Sequence, residues 1–493
     1  MPADTDILII GSGITGCAVA RELSRFSDSV TVLEKEDDVA EGATKANSGI
    51  VHAGYDALPG TKKALYNIRG AKLYPGLCAE LGVPYRKNGA LVIALDNSDR
   101  KTVSQLKDRG IQNGVSSLEI LETAEVLQLE PNINPRVVCA LYVPDSAVVS
   151  PYELAFAMAD DAALNGVSFR FNETVLSVSR LSDGRFSVNT QTGSYRCKAL
   201  VNCAGTSGAD IHNQLSSEKL TMVYRRGQYY LLDRSSKLPF DRTVFQCPSV
   251  LGKGVLVSPT VHGNLLLGPT AEDIIDPRDT ATTPDGLDEI IRKASLTWPG
   301  ITVRNNITNF SGIRAHLTVD DFVVGPDSSC PGYFDAIGIE SPGLSSAPAI
   351  AEDLGSAVVS FLKLKKKNNL ISCPLRPRSF RDMSDEEKAE AIAADPSNGN
   401  IICRCETVTE AEIRASIRRP VGARSVDAVK RRTRAGMGRC QGGFCLPRVA
   451  SIISEETGIP MEKITKNGGS GFLLSGSITS LGEDKEKHDR TKS

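Results

Sequence analysis

An apolar strand runs straight into Gly11-Ser12-Gly13-Ile14-Thr15-Gly16 and then into a helical pattern. That order leaves few folds open. Gly11 permits the tight turn, Gly13 lets the backbone approach a pyrophosphate, and Gly16 lets helix and strand pack closely. Phosphates sit well at such a helix N-terminus, where free N–H groups and the dipole favour anions. Glu34 closes the next apolar strand, where a carboxylate can accept hydrogen bonds from a ribose diol. Glycine-rich turns alone are common; strand, helix and Glu34 together point to a dinucleotide.

The pattern predicts a strand over 7–10, a helix over 14–25 and a strand over 30–33. Residues 144–205 repeat this style, with a helix from Pro151 and strands around 167–171, 175–181 and 199–201. A last strand–helix unit covers 333–362, and stretches of mixed character, 73–143 and 220–304, lie between. No repeat of 20–50 residues is visible. The interleaving predicts two domains built from separated segments. One takes about 1–75, 145–215 and 305–362; the other takes about 76–144 and 216–304. A basic, then proline-rich, then polar linker follows at 363–400, and a cysteine-bearing module occupies 401–465. The basic run 363–367 reads as a solvated helix end. The charged stretch 483–493 reads as disordered.

The net charge of −2 gives no reason to expect a nucleic-acid partner. No run of 18 apolar residues exists, so no membrane-spanning helix is expected. The N-terminus reaches its first strand without a basic region or cleavage site, so the expected location is cytoplasmic. Most of the 12 cysteines should then be thiols. Cys17, Cys78, Cys139, Cys197, Cys203, Cys247, Cys330 and Cys373 read as small buried residues.

Cys403, Cys405, Cys440 and Cys445 differ from these. They form a C-x-C pair and a C-x4-C pair. Thiolates hold iron–sulfur clusters in fours, whereas zinc sites more usually use C-x2-C pairs. The spacing favours a [2Fe–2S] cluster over zinc or a structural role. Thr409 and Glu412 form a capping-box pattern, and Pro447 suits a helix start, so the module should be short helices with cysteine-bearing loops. Four thiolates around two ferric ions leave a net charge of about −2. Lys430, Arg431, Arg432, Arg434 and Arg439 either form a solvated helix face or offset that charge. Gly436, Gly438, Gly442 and Gly443 allow loops whose N–H groups turn toward sulfur.

Further motifs follow in a fixed order: Asn47-Ser48-Gly49-Ile50-Val51-His52-Ala53-Gly54, Val201-Asn202-Cys203-Ala204-Gly205, Arg226-Gly227-Gln228 and Gly338-Ile339-Glu340-Ser341-Pro342-Gly343. In these, residues 5–362 resemble FAD-dependent oxidoreductases of the D-amino-acid-oxidase type. Within that group the chain is most similar to glycerol-3-phosphate oxidases and dehydrogenases and to L-2-hydroxyglutarate oxidases. Residues 401–455 resemble the module of bacterioferritin-associated ferredoxin, a pairing similar to the catalytic subunit of anaerobic glycerol-3-phosphate dehydrogenases. Thr206-Ser207-Gly208 departs from the aromatic residue many relatives carry after Ala204-Gly205.

The resemblance implies an α/β fold: a Rossmann-like FAD-binding domain interleaved with a β-rich substrate domain, plus a small helical [2Fe–2S] module. It implies FAD contacts from Asn47, Ser48, Ala204, Gly205, Gly338 and Gly343, beside Gly11, Gly13, Gly16 and Glu34. The implied activity is oxidation of glycerol 3-phosphate to dihydroxyacetone phosphate, with electrons passing through the cluster to an acceptor subunit or carrier. L-2-hydroxyglutarate or another 2-hydroxy acid is the alternative substrate. A non-catalytic electron-transfer subunit is the alternative role.

Oxidising an anionic secondary alcohol needs a base and a cationic anchor. Five histidines are available. His52 lies in the stretch that the resemblance sets against the flavin and is the candidate base. His262, in a hairpin turn, and His316, two residues after Arg314, are weaker candidates; His212 and His488 are unattractive. The resemblance makes Arg314 the anchor, and a guanidinium fork suits phosphate or carboxylate. Ser341 is the candidate donor to substrate or flavin. Arg226 reads first as a structural cation paired with a carboxylate.

Overall fold

The computed structural model describes residues 3–234, 238–248, 254–374 and 378–476. The 483–493 tail lies outside the described residues. The chain divides into two compact units: Met1–Lys35 with Val39–Arg376, and Glu36–Asp38 with Pro377–Ser493.

The first unit holds a six-stranded sheet in the order Ser168–Arg170, Val30–Leu33, Ile7–Ile10, Ala199–Asn202, Tyr333–Ile337, Val323–Pro326. The first five strands pair in parallel and the last runs antiparallel. Ile7, Leu8, Ile9, Leu200 and Val201 are all buried. Such unbroken apolar runs belong to a parallel sheet covered on both faces. The helix Ile14–Leu23 packs on Pro151–Leu164 and on Gly343–Leu362. Strand order reverses about Ile7–Ile10, which opens a crevice at the strand ends where the glycine turn lies. The helix predicted to reach residue 25 stops at Leu23, and the Ser24 hydroxyl turns back to donate to the Arg21 carbonyl at 2.7 Å.

A nine-stranded sheet forms the second part of this unit. Its longest pairing joins Met222–Leu232 to Asn306–Leu317, antiparallel. The stretch 306–317, assigned from sequence to the FAD part, is therefore a strand of the β-rich part. Its full-length ladder with 222–232 is non-local and leaves no mark in local composition. The helix Lys62–Leu81 likewise runs through the boundary drawn at 75/76. It starts where Thr61 Oγ1 accepts from the Ala64 N–H and ends on Gly82 in the left-handed region, φ 64°.

The second unit packs Glu410–Arg418, Val426–Thr433 and Leu446–Thr457 around Ile413, Ala428, Val429, Ile452 and Ile453. The expected capping box is present: Thr409 Oγ1 accepts from the Glu412 N–H at 3.1 Å and Glu412 Oε2 accepts from the Thr409 N–H at 2.9 Å. The stretch read as linker is more structured than that reading expects. It carries the helix Asp385–Ala394 with its own Ser384/Glu387 capping box, and Phe380 is buried with its N–H on Glu412 Oε1 at 3.1 Å. Among the described residues no helix is long and apolar enough to cross a membrane.

Candidate functional site

The glycine turn is shaped by backbone. Gly11 sits at φ 95°, and a Cβ there would stand 2.5 Å from the Cys203 carbonyl oxygen. A Cβ on Gly16 would stand 2.0 Å from the Gly11 oxygen. The turn thus touches the end of the strand Ala199–Asn202, which brings Ala204 and Gly205 beside it. Gly13 is the helix N-cap and provides no side-chain cap. The Ile14 N–H donates to Thr44 Oγ1 at 2.9 Å, tying the helix start to the segment before Asn47. Glu34 is buried, and its Oε2 accepts from both the N–H and the hydroxyl of Ser12 at 2.8 Å each. Asn47 folds its own loop: its amide donates to the Ala43 and Thr44 carbonyls, and its Oδ1 accepts from the Gly49 N–H at 2.8 Å. The strand Asn306–Leu317 approaches the same loop at Gly312, where a Cβ would meet the Ala46 oxygen at 2.0 Å.

His52 follows the short strand Ile50–Val51 and is buried. Its N–H donates to Ser345 Oγ at 2.8 Å, and its ring lies 5.8 Å from that of Phe245. With the amide oriented to satisfy both partners, Asn67 donates to the His52 carbonyl at 2.8 Å. Tyr74 donates to the Leu344 carbonyl at 2.5 Å. These bonds bind His52 to the first turn of Gly343–Leu362. A small cleft there is lined by His52, Tyr55, Asp56, Asn67 and Pro342. Ser341, next to Pro342, is exposed. Ser345, Asn67 and Tyr74 were not singled out from sequence. Ser345 alone had a local signal, as a serine just inside a helix that opens on glycine.

Arg314 lies mid-strand, opposite Arg225. Nη2 donates to the Thr270 carbonyl at 3.4 Å. The phenol of the buried Tyr229 is pushed up by burial, against the pull of Arg314. Arg226 is buried and holds Glu272 and Asp279 at 2.8 Å each, as its structural reading requires. His262 Nε2 meets Glu153 Oε1 at 2.6 Å, on the helix Pro151–Leu164. His316 shares its strand with Arg314 but turns to Glu340, Nδ1 to Oε1 at 2.7 Å. His212 is buried between Asp335 Oδ2 at 2.8 Å and the Glu218 carbonyl at 3.0 Å.

In the second unit, Cys403 and Cys445 are buried, Cys440 is half-buried and Cys405 is exposed. Cys405 and Cys440 place their Sγ atoms 3.7 Å apart. The Cys403 thiol is pulled down to about 6, first by its hydrogen bond with Cys445 and then by the Gly436 and Glu406 N–H groups. That same bond pushes Cys445 up. Burial works against ionising Cys440, yet the N–H groups of Phe444, Gly442 and Gly443 bring it down. Of the expected glycine-loop donors, Gly436, Gly442 and Gly443 are thus aimed at sulfur, and the donor set fits a thiolate-held cluster.

The basic residues here divide: Arg439 is exposed and Lys430 half-buried, while the arginines between them pair with carboxylates. Arg431 and Arg432 are buried on Asp38 of the same unit, with Arg432 Nη2 2.7 Å from Oδ1. Arg434 Nε holds buried Glu406 at 2.8 Å. A buried guanidinium is tolerated only with such a partner. Of the eight other cysteines, six are buried, while Cys247 and Cys373 are partly exposed.

Residues 6–357 match the family described as FAD dependent oxidoreductase, and residues 401–455 match the BFD-like [2Fe-2S] binding domain. A glycerol 3-phosphate dehydrogenase from Caloramator mitchellensis is 45% identical over 472 residues, covering 96% of this chain and 98% of that protein. An L-2-hydroxyglutarate dehydrogenase from Arabidopsis thaliana is 28% identical over 402 residues, covering 71% of this chain and 83% of that protein. Among solved structures, the dithionite-reduced L-alpha-glycerophosphate oxidase from Mycoplasma pneumoniae, with FAD bound, superposes with a TM-score of 0.72. It is 32% identical and covers 76% of this chain and 99% of that one.

Proposed function

This chain belongs to the family of FAD dependent oxidoreductases and carries a BFD-like [2Fe-2S] binding domain, and on that footing we propose that it oxidises glycerol 3-phosphate to dihydroxyacetone phosphate. Electrons then leave through the cluster to a partner subunit or carrier. The observation that carries this reading is the 45% identity to a glycerol 3-phosphate dehydrogenase along 96% of the chain, both units included.

FAD, when bound, accepts the hydride. Gly13 would leave room for its pyrophosphate in a turn kept tight by Gly11 and Gly16, Glu34 would take the ribose, and Asn47, Ser48, Ala204, Gly205, Gly338 and Gly343 would line the remainder. Cys403, Cys405, Cys440 and Cys445 hold the cluster. Arg314 anchors the substrate anion with its guanidinium fork. The imidazole of His52 takes the hydroxyl proton as hydride leaves carbon. Bonds from its backbone to Ser345 and Asn67 hold the main chain that carries the ring. Ser341 donates a hydrogen bond at the reacting end.

A carboxylate fits the Arg314 fork as well as a phosphate does, and an L-2-hydroxyglutarate dehydrogenase is among the relatives. L-2-Hydroxyglutarate is therefore the second reading. A panel of hydroxy acids and glycerol phosphates, scored by anaerobic bleaching of the flavin, separates the two. The proposal expects glycerol 3-phosphate to bleach fastest; faster bleaching by L-2-hydroxyglutarate reverses the assignment, and no bleaching by any member overturns both.

A further inference from the structure

Three elements of the first unit meet on one carboxylate. Glu340 Oε1 accepts from Lys63 Nζ at 2.9 Å and faces His316 Nδ1 at 2.7 Å. Lys63 stands at the start of the helix Lys62–Leu81, and His316 lies near the end of the strand Asn306–Leu317. Glu340 belongs to the loop that leads into the helix Gly343–Leu362. The three side chains are between 12% and 17% exposed, so solvent screens the contacts only in part.

The anchorage is deliberate on both flanks. Lys63 Nζ also reaches Asp320 Oδ1 at 2.9 Å, and Asp321 accepts from the N–H groups of Lys62 and Lys63 at 2.9 and 3.0 Å. Burial disfavours the Lys63 cation, but Glu340 and Asp320 together outweigh it and raise the pKa of the ammonium. The loop's own backbone bonds are short-range: the Glu340 N–H donates to the Gly338 carbonyl at 2.8 Å, the Gly343 N–H donates to the Glu340 carbonyl, and the Pro342 carbonyl accepts from the N–H and the hydroxyl of Ser346 at 3.1 and 3.0 Å. The next residues are Ser341 and Pro342, and Pro342 lines the cleft with His52.

We infer that Glu340 is a positioning residue, clamped by Lys63 and His316, that fixes the loop carrying Ser341 and Pro342 over the reaction site. This rests on the functional reading above. The two ends of the clamp are unequal. The strand bearing His316 and Arg314 is held along its whole length by 222–232, so it keeps its place without Glu340. The loop has no such ladder. Removing the carboxylate should therefore disturb the reacting end and spare the anion anchor.

The test compares wild type with Glu340→Ala, Glu340→Gln and Lys63→Met, each loaded with FAD. Stopped-flow gives the rate of flavin reduction at saturating glycerol 3-phosphate and the concentration for half-saturation. Absorbance spectra of the resting flavin and melting temperatures are recorded alongside. The expected result is a loss in the saturated rate on the order of 10²-fold for Glu340→Ala, with smaller losses for Glu340→Gln and Lys63→Met. Half-saturation stays near wild type, and the resting flavin bands shift. A raised half-saturation with an unchanged rate overturns the inference, as does a fall in melting temperature with no kinetic or spectral change. If Glu340→Ala does not fold, Glu340→Gln and Lys63→Met decide the same split. If wild-type flavin is bleached by no substrate, the functional reading has failed. The flavin spectra of the variants then decide the inference alone: shifted bands support it and unshifted bands overturn it.

Discussion

Around Gly11 the dinucleotide cradle is cut from backbone: one residue in the left-handed region, two contacts that admit no Cβ, and a helix whose N-cap is a glycine. Around Cys403 the site is hung on side chains instead: two buried thiols sharing a hydrogen bond, one half-buried and one exposed, and loop N–H groups turned to sulfur. The first kind of site exists once the sheet has formed, whether or not its ligand is present. The second gathers groups that repel one another as they ionise, so its ligand does part of the holding. The two sites should therefore fail in different ways.

The largest effect should come from crossing the two. Gly16→Val drives a side chain into the Gly11 carbonyl, 2.0 Å from the new Cβ, and should abolish flavin retention while iron still loads. Cys440→Ser should do the reverse, removing the cluster and leaving flavin bound. Flavin and iron content per chain, measured after anaerobic purification, checks both. Loss of both cofactors in either variant would mean the sites are not independent.

Next in size is the proposed base. His52→Ala should slow flavin reduction by about 10²–10⁴-fold, read by stopped-flow at saturating substrate. A wild-type rate would move the base elsewhere, and His262, held by Glu153, would be the next residue to change. Arg314→Lys keeps the charge and loses the fork. Loss of a charged hydrogen bond costs about 1.5–3 kcal/mol, so kcat/KM should fall roughly ten- to hundred-fold, with KM raised and turnover lowered.

Glu34→Ala should weaken FAD by about 1–3 kcal/mol, seen as a raised Kd when flavin is titrated into stripped protein. An unchanged Kd would contradict the ribose role. Smallest is the buried pair of His212 and Asp335. Burial opposes protonating His212, but Asp335, with the Glu218 carbonyl and Asp327, more than compensates and raises its pKa. The pair's stabilisation is fully present below the ordinary histidine value near ~6.5 and is lost as pH rises through the higher folded value. His212→Gln should lower Tm most at acidic pH, with the gap to wild type closing as pH rises. A gap that widened toward alkaline pH would reverse the sign.

The same contrast explains how much could be read from sequence. Strands 7–10 and 30–33, the glycine turn and the 409/412 capping box follow from local rules of spacing and backbone freedom, and all are present. The four cysteines are brought to one end of one small unit as their spacing predicts. Partnerships across the chain were not legible. Nothing near Arg432 announces Asp38, nothing near His316 announces Glu340, and the strand 306–317 gives no local sign that it pairs with 222–232. Ser345 and Asn67 were missed because both act through the backbone of His52. Periodicity and motif spacing carry no trace of such contacts.

The most direct test of the whole account is an anaerobic titration of the purified protein with glycerol 3-phosphate, followed by absorbance and by EPR of the frozen samples. The account predicts that the flavin bleaches and that the signal of a reduced [2Fe–2S] cluster appears without added dithionite; in Cys440→Ser the flavin should bleach with no such signal. A flavin that bleaches while the intact cluster stays oxidised would contradict the electron path through the cysteine unit, and a flavin that stays oxidised would contradict the substrate.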